Sequence, residues 1–264
     1  MKNYGRLLNK AINSLLDLVY PPGLYCISCG KITDDSRTYH LCNDCMGSVS
    51  WISERRCEKC GRPLSENDPG PMCFGCSERE KSGNGHAFDR GHACASYGAC
   101  AQSVIFAFKY GSRSDIGDTL GEILFDRMEA EYGQDALSDM YDMVIPVPGF
   151  REKNLRRGFD HAELMAEGFA KRADIRCEPG LLRRVRMTAP MKGLSPEERR
   201  VNIKGAFSVR ERKKPEVSGA RILLIDDIFT TGATTDEAAA ILRESGACRV
   251  DFLAFAAAGD MTMS

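Results

Sequence analysis

Along the chain, short unbroken apolar runs alternate with longer stretches whose apolar positions recur every three or four residues. In ACAQSVIFAFKY, Val104, Ile105 and Phe108 share one face; in DIGDTLGEILFDRMEAEY, Ile116, Leu120, Ile123, Leu124 and Met128 do so. That periodicity predicts two amphipathic helices, the first stopped at Gly111. DMVIPVPG reads as a strand running into a proline-rich loop, and FDHAELMAEGFAKRA as a third helix. Two more strand–helix units follow, the last being RILLIDDIFTTGATTDEAA with RVDFLAFAAAG as its closing strand. Upstream, AFDRGHACASYG predicts a short strand pair. Alternation of this kind implies an α/β fold with a mostly parallel, doubly wound sheet and flanking helices. Ligands bind such sheets outside the carboxyl ends of the strands, where the IPVPGF and DDIFTTGAT loops both fall.

The first third of the chain breaks this pattern. Leu7, Leu8, Ile12, Leu15, Leu16, Leu18 and Val19 stand at helical spacing and are followed by Pro21-Pro22, which predicts an amphipathic helix over 1–20 docked on the rest of the protein. Beyond it, eight of the twelve cysteines form four CxxC pairs: Cys26/Cys29, Cys42/Cys45, Cys57/Cys60 and Cys73/Cys76. Twelve residues separate the second and third cysteine of each set of four, so the unit is duplicated and reads as two four-cysteine zinc ribbons over 21–82. Gly30 and Gly61 supply the tight turns that aim paired thiolates at one metal. This segment has too few large apolar residues to fold unaided, and structural zinc contributes roughly 10–16 kcal/mol per site. Four sulfurs leave no open coordination position, so the role is structural. A disulfide framework is the competing reading; the lack of an export signal argues against it. Spacing leaves open whether consecutive pairs or the first and third pairs share an ion, and whether one zinc or two are held. His40 is a substitute ligand candidate; Cys94, Cys100, Cys177 and Cys248 lack ligand spacing and read as packed thiols. The polar run SEREKSGNG, Ser77 to Gly85, marks a linker, placing the larger domain at 83–264.

Charge changes the picture only locally. The formal net charge is −1 over 264 residues, so no global field draws the chain to nucleic acid or membrane. Between Arg183 and Lys214, however, eleven Lys/Arg stand against three Glu; this is either an anion-facing stretch or a solvated face. No run approaches the roughly 20 apolar residues of a membrane span, and a cytoplasmic location is expected.

The chemistry concentrates in RILLIDDIFTTGATTDEAA. ILLI is the continuous apolar run of a parallel strand covered on both faces. Successive strand side chains point to opposite faces, so Asp226 and Asp227 address one ligand only if the chain turns there. Thr230, Thr231, Gly232, Ala233 and Thr234 make a small hydroxyl-bearing loop opening a helix, whose first N–H groups are unpaired and suit a phosphate. Carboxylates repel phosphate but suit vicinal hydroxyls or a metal ion. A sugar phosphate satisfies both halves.

These residues resemble the phosphoribosyl pyrophosphate motif of type I phosphoribosyltransferases. Together with IPVP, RRGFDHAE (156–163) and the cysteine knuckles, the whole chain resembles the ComF family of competence-associated proteins. The resemblance implies a type I phosphoribosyltransferase-like domain behind a double zinc ribbon. It implies that Asp226 and Asp227 hold the ribose hydroxyls and carry any catalysis, and that Thr230 to Thr234 hold the 5′-phosphate. Pro146, Val147, Pro148 and Gly149 would form the pyrophosphate loop, with Mg²⁺ bridging pyrophosphate and ribose, and Lys109, Arg151 and Arg157 are basic candidates for the pyrophosphate end. The chain departs from the family at Asp160-His161, where RGFNQ is usual, and at Met191, where glutamine is usual; Arg199, Arg200 and Asn202 match. Two functional readings follow: a phosphoribosyltransferase with an unidentified acceptor, or a non-enzymatic factor that handles single-stranded DNA, alone or with DNA-uptake proteins, and uses the site only to sense a ligand such as a ribose 5-phosphate.

Overall fold

The computed structural model describes residues 24–33, 38–53, 55–68, 70–110, 113–149, 159–191 and 193–259. The predicted helix over 1–20, Arg151 and Arg157 lie outside the described residues.

Four strands form the main sheet: β1 (Gly91–Ser96), β2 (Met143–Pro146), β5 (Arg221–Phe229) and β6 (Arg249–Ala257), in the order β1-β6-β5-β2 and all parallel. Their central positions are mostly apolar because both faces are covered. Val144, Leu223, Ile225, Leu253 and Phe255 point to one side, against Val104 and Phe108 of α3 (Ala99–Tyr110), Leu120 of α4 (Asp115–Tyr132) and Phe169 of α6 (His161–Ala173). Met143, Ile145, Ile222, Leu224 and Phe252 point to the other, against Ala238 and Leu242 of α9 (Ala233–Glu244). The predicted inward residues of α3 and α4 are all buried. A short helix, α5 (Gln134–Met140), joins α4 to β2.

Two predicted elements differ. AFDRGHACASYG yields β1 alone, and its second partner comes from the ribbon segment: Trp51 bridges Ala95 antiparallel, Ile52 N donates to Cys94 O (2.8 Å) and Ser96 N to Ser50 O (2.8 Å). The first of the two later strand–helix units is a separate two-stranded antiparallel sheet, β3 (Leu182–Arg184) with β4 (Phe207–Val209), enclosing α7 (Pro196–Ile203). A single turn, α8 (Lys214–Val217), leads into β5.

The ribbons contain α1 (Asn43–Ser48) and α2 (Phe74–Lys81), each beginning directly after a ligand-candidate cysteine. The run expected to be a linker thus starts as the last turns of α2. Gly30 and Gly61 have positive φ (74° and 71°), and at Gly61 a Cβ would lie 2.5 Å from Gly91 O. Glycine lets the second knuckle lie flush on β1. Both ribbons share the core of the larger domain: Ile27 and Leu41 pack in the cluster of α3 and α4, whereas Ile52, Cys57 and Cys76 pack in that of α9.

Candidate functional site

The eight knuckle cysteines gather in two sets, Cys26–Cys29–Cys42–Cys45 and Cys57–Cys60–Cys73–Cys76, with the sulfurs of each set within 4.8 Å of one another. Consecutive pairs therefore share a site, and the cross-braced pairing is excluded. A tetrahedral ion with Zn–S bonds of about 2.3 Å separates its sulfurs by about 3.8 Å; Cys29–Cys42 and Cys60–Cys73 stand at 3.7 and 3.8 Å. The donor sets fit structural zinc, and all eight thiols are free of disulfides. His40 is turned away, its Nδ1 3.2 Å from Thr119 Oγ1. Of the four other cysteines, Cys94 is buried but Cys248 is exposed, contrary to its expected packing.

The second candidate site is a cavity of about 340 Å³ at the carboxyl end of the sheet. β2 stops at Pro146, opposite Ile225, while β5 continues to Phe229. Asp226 and Asp227 thus project beyond their neighbour into the opening. The strand runs through both aspartates and the chain turns after Phe229, within IFTTGAT; the two carboxylates reach the same cavity because that side of the strand is bare. Asp227 is ion-paired with Lys109 from the end of α3. Asp226 lies in the field of Arg184 on β3. Burial first, and the Asp227 charge second, push the Asp226 carboxyl up to about 7. Burial works against the Lys109 ammonium, but the aspartates outweigh it and hold the group above its ordinary value. Burial lowers the Arg184 guanidinium, with Asp226 opposing.

The loop after β5 forms one wall through Thr230 and Thr234. Gly232, at φ 80°, is the N-cap of α9, and no side chain caps the helix there. The first-turn N–H groups are thus left for an anion. The hydroxyl of Thr231, on the other side of this loop, is buried with no hydrogen-bond partner and does not line this cavity. Opposite lie Val147, Pro148 and Gly149. Asp160 fastens this loop: it caps α6 by accepting from Ala162 N (3.0 Å) and also accepts from Gly149 N (3.3 Å). His161 is buried and its Nε2 donates to Phe108 O (2.9 Å). Asp160 and His161, two of the three residues that depart from the family pattern, therefore make structural bonds within the protein. Met191 lines the cavity and is held by Asn202, 3.4 Å from its sulfur.

The structure brings Lys109, Pro148, Asp226, Asp227, Thr230 and Thr234 together in one cavity with Val147. Pro146 is the last residue of β2 beneath it, and Ala233 opens α9. Asp160 was noted in the sequence only as a departure from the family pattern, and Arg184 was not singled out. Neither was Arg62, which follows the second knuckle, is 6 % exposed, donates from Nη2 to Thr230 O (2.6 Å) and lies over the Phe229 ring at 5.3 Å. Much of the basic stretch is engaged internally: Arg199 Nη1 donates to Thr230 Oγ1 (3.2 Å), Arg186 to the carbonyls of Asn202 and Lys204, and Lys213 pairs with Glu178.

Among the described residues, only the cysteine sets bring three or more metal-ligand groups together, and no helix is long and apolar enough to cross a membrane. The cleft offers oxygen donors but no preformed cage. This suits a Mg²⁺ ion that keeps waters and binds chiefly through ligand phosphates.

Comparison with known proteins covers both regions. Residues 15–96 match the model of the double zinc ribbon domain, and residues 156–263 that of the phosphoribosyl transferase domain. Competence protein F of Haemophilus influenzae is 29% identical over 206 residues, covering 78% of this chain and 85% of its own. The DNA utilization protein YhgH of Escherichia coli is 27% identical over 211 residues (80% and 87%). Competence protein ComFC of Bacillus subtilis is 24% identical over 207 residues (78% and 79%). Among solved structures, a glutamine phosphoribosylpyrophosphate amidotransferase from B. subtilis is 23% identical with a TM-score of 0.37, aligning over 56% of this chain and 30% of its own. With its two cysteine quartets preceding a phosphoribosyl transferase domain, the chain is similar over most of its length to these competence and DNA utilization proteins.

Proposed function

We propose that the cleft at the end of β5 binds phosphoribosyl pyrophosphate, or a ribose 5-phosphate-like ligand, with Mg²⁺, and that the protein acts in DNA uptake or utilization. The observation that carries this reading is the joint placement of Asp226, Asp227, Thr230 and Thr234 on one cavity, facing Val147, Pro148 and Gly149. The 5′-phosphate lies on the N-terminus of α9 and the ribose diol on the aspartates. Mg²⁺, when bound, neutralises the pyrophosphate oxygens. Lys109 balances the acid pair, Asp160 keeps the Val147–Gly149 loop in place, and Arg199 holds the Thr230 hydroxyl. Transfer from such a ligand develops positive charge on the sugar, which the two carboxylates lining the cleft stabilise. Asp226, poised near neutrality, is also suited to take a proton from an incoming nucleophile.

The non-enzymatic DNA-handling reading gains less support, because many arginines and lysines of the basic stretch are committed to internal bonds. Titration calorimetry with phosphoribosyl pyrophosphate and Mg²⁺ tests the ligand: saturable binding lost in Asp227→Asn is expected, and equal affinity in the variant would refute the site. Pyrophosphate release with a panel of bases, beside salt-dependent binding of single-stranded DNA, separates transferase from binding factor.

A further inference from the structure

Behind the Thr230–Thr231 loop, on the side away from the acid pair, lies a second cavity of about 340 Å³ between the second zinc ribbon and α7. Its volume falls in the range of small-molecule sites, roughly 300–1,000 Å³. The cleft described above does not use it, and nothing in the zinc chemistry needs it. Three features of its lining point to a ligand. Arg79 is fixed from one end only: Nη2 bonds Asp236 Oδ2 (2.9 Å), whereas Nε and Nη1 are buried without a hydrogen-bond partner. Thr231 adds a buried hydroxyl that also lacks one. Buried donors in that state are rare in native proteins and call for a missing acceptor. Third, Phe74, the first residue of α2, leaves its ring 40% exposed beside these polar groups.

We propose that this cavity is a second ligand site, taking a nucleoside monophosphate with its phosphate among Arg79, Arg200 and Thr231 and its base against Phe74. Guanidinium groups favour phosphate oxygens, and an exposed aromatic ring favours a base face. Glu78 and Glu197 also line the cavity, the first paired with Lys81 (2.9 Å) and the second with Arg200 (3.7 Å). Carboxylates there accept from ribose hydroxyls and repel a chain of phosphates, which selects a single phosphate over a triphosphate or a polynucleotide. The pocket shares Thr230 with the front cleft. A nucleotide there contacts the loop from behind and alters its fit to a sugar phosphate, with reciprocal effect. This coupling rests on the proposed function; occupancy of the pocket does not.

The test titrates the zinc-loaded full chain separately with adenosine 5′-monophosphate, cytidine 5′-monophosphate and inorganic phosphate by calorimetry. Saturable binding of at least one nucleotide that survives in Asp227→Asn is expected. Arg200→Gln and Phe74→Ala, both at partly exposed side chains, should each weaken it about tenfold while Asp227→Asn leaves it unchanged. Circular dichroism confirms that the variants fold. Absence of saturation by either nucleotide overturns the proposal, as does inorganic phosphate binding as tightly as the nucleotides. Binding abolished by Asp227→Asn but indifferent to Arg200→Gln and Phe74→Ala overturns it too, by placing the nucleotide in the front cleft. Phosphoribosyl pyrophosphate binding, measured on the same variants, fails or succeeds independently of these outcomes.

Discussion

Lys109, at the end of α3, is ion-paired with Asp227, at the exposed end of β5. The pair ties a helix on one face of the sheet to the residue expected to meet the ribose. Its charge also restrains the neighbouring Asp226, whose carboxyl it draws downward against burial. Lys109→Met should therefore move the pH midpoint of phosphoribosyl pyrophosphate binding upward by about one unit, since the carboxylate form is then harder to reach. Calorimetric affinities across the neutral range measure this. A midpoint that stays in place would show that the lysine charge does not govern the acid pair.

Asp226 also leaves a mark on stability. Its folded value, about 7, lies above the ordinary 3.8. Between those values the folded chain holds a proton that the unfolded chain has lost, so the contribution is present at low pH and fades as pH rises through about 7. Asp226→Asn cannot ionise. In the absence of ligand the melting temperature of the variant, relative to wild type, should be higher near about pH 8 than near about pH 5. Scanning calorimetry at both values decides the point; a difference independent of pH would contradict the shift.

Arg62 props the loop from the ribbon side through Thr230 O and Phe229. Arg62→Met keeps the bulk of the side chain but removes the bond to the carbonyl, a change of about 1–3 kcal/mol for a buried polar group. Sugar-phosphate affinity should fall about tenfold, while zinc content measured by elemental analysis stays the same. Unaltered affinity would mean that Arg199 and the α9 N-terminus hold the loop without help.

The two zinc sites differ in access. Cys29 is exposed and Cys42 and Cys45 are half-buried, whereas all four cysteines of the second set are buried. A chelator should strip the metal in two phases, the first ribbon leading. Loss of ligand affinity should accompany only the second phase, because Arg62, Arg79 and His86 link that ribbon to Thr230 and Asp236. Absorbance of a zinc indicator, followed beside ligand binding, reports both. Simultaneous release would contradict the inferred order.

Much of this was legible in residue order. The helices α3 and α4 were readable because each turns one apolar face to the sheet, and β5 because both its faces are covered. The acid pair and threonine loop were readable because their chemistry is local in the chain. Arg62 was not: it stands 168 residues from Thr230, and only tertiary packing joins them. Arg184 was hidden among like charges, since composition does not tell which arginine turns inward. The β3–β4 pair was mistaken for a parallel unit because three-residue strands carry too little pattern to show their direction.

The pairing of Ser50–Ile52 with β1 has a practical consequence for anyone dividing the protein. A fragment beginning at residue 83 would keep every main-sheet strand yet strip the covering from β1, leaving a row of unsatisfied amides and carbonyls beside apolar side chains. Bare edges of that kind recruit other copies. Such a truncation should come out of cells as aggregate, and the amino-terminal third is better regarded as the hem that keeps the sheet from joining to itself.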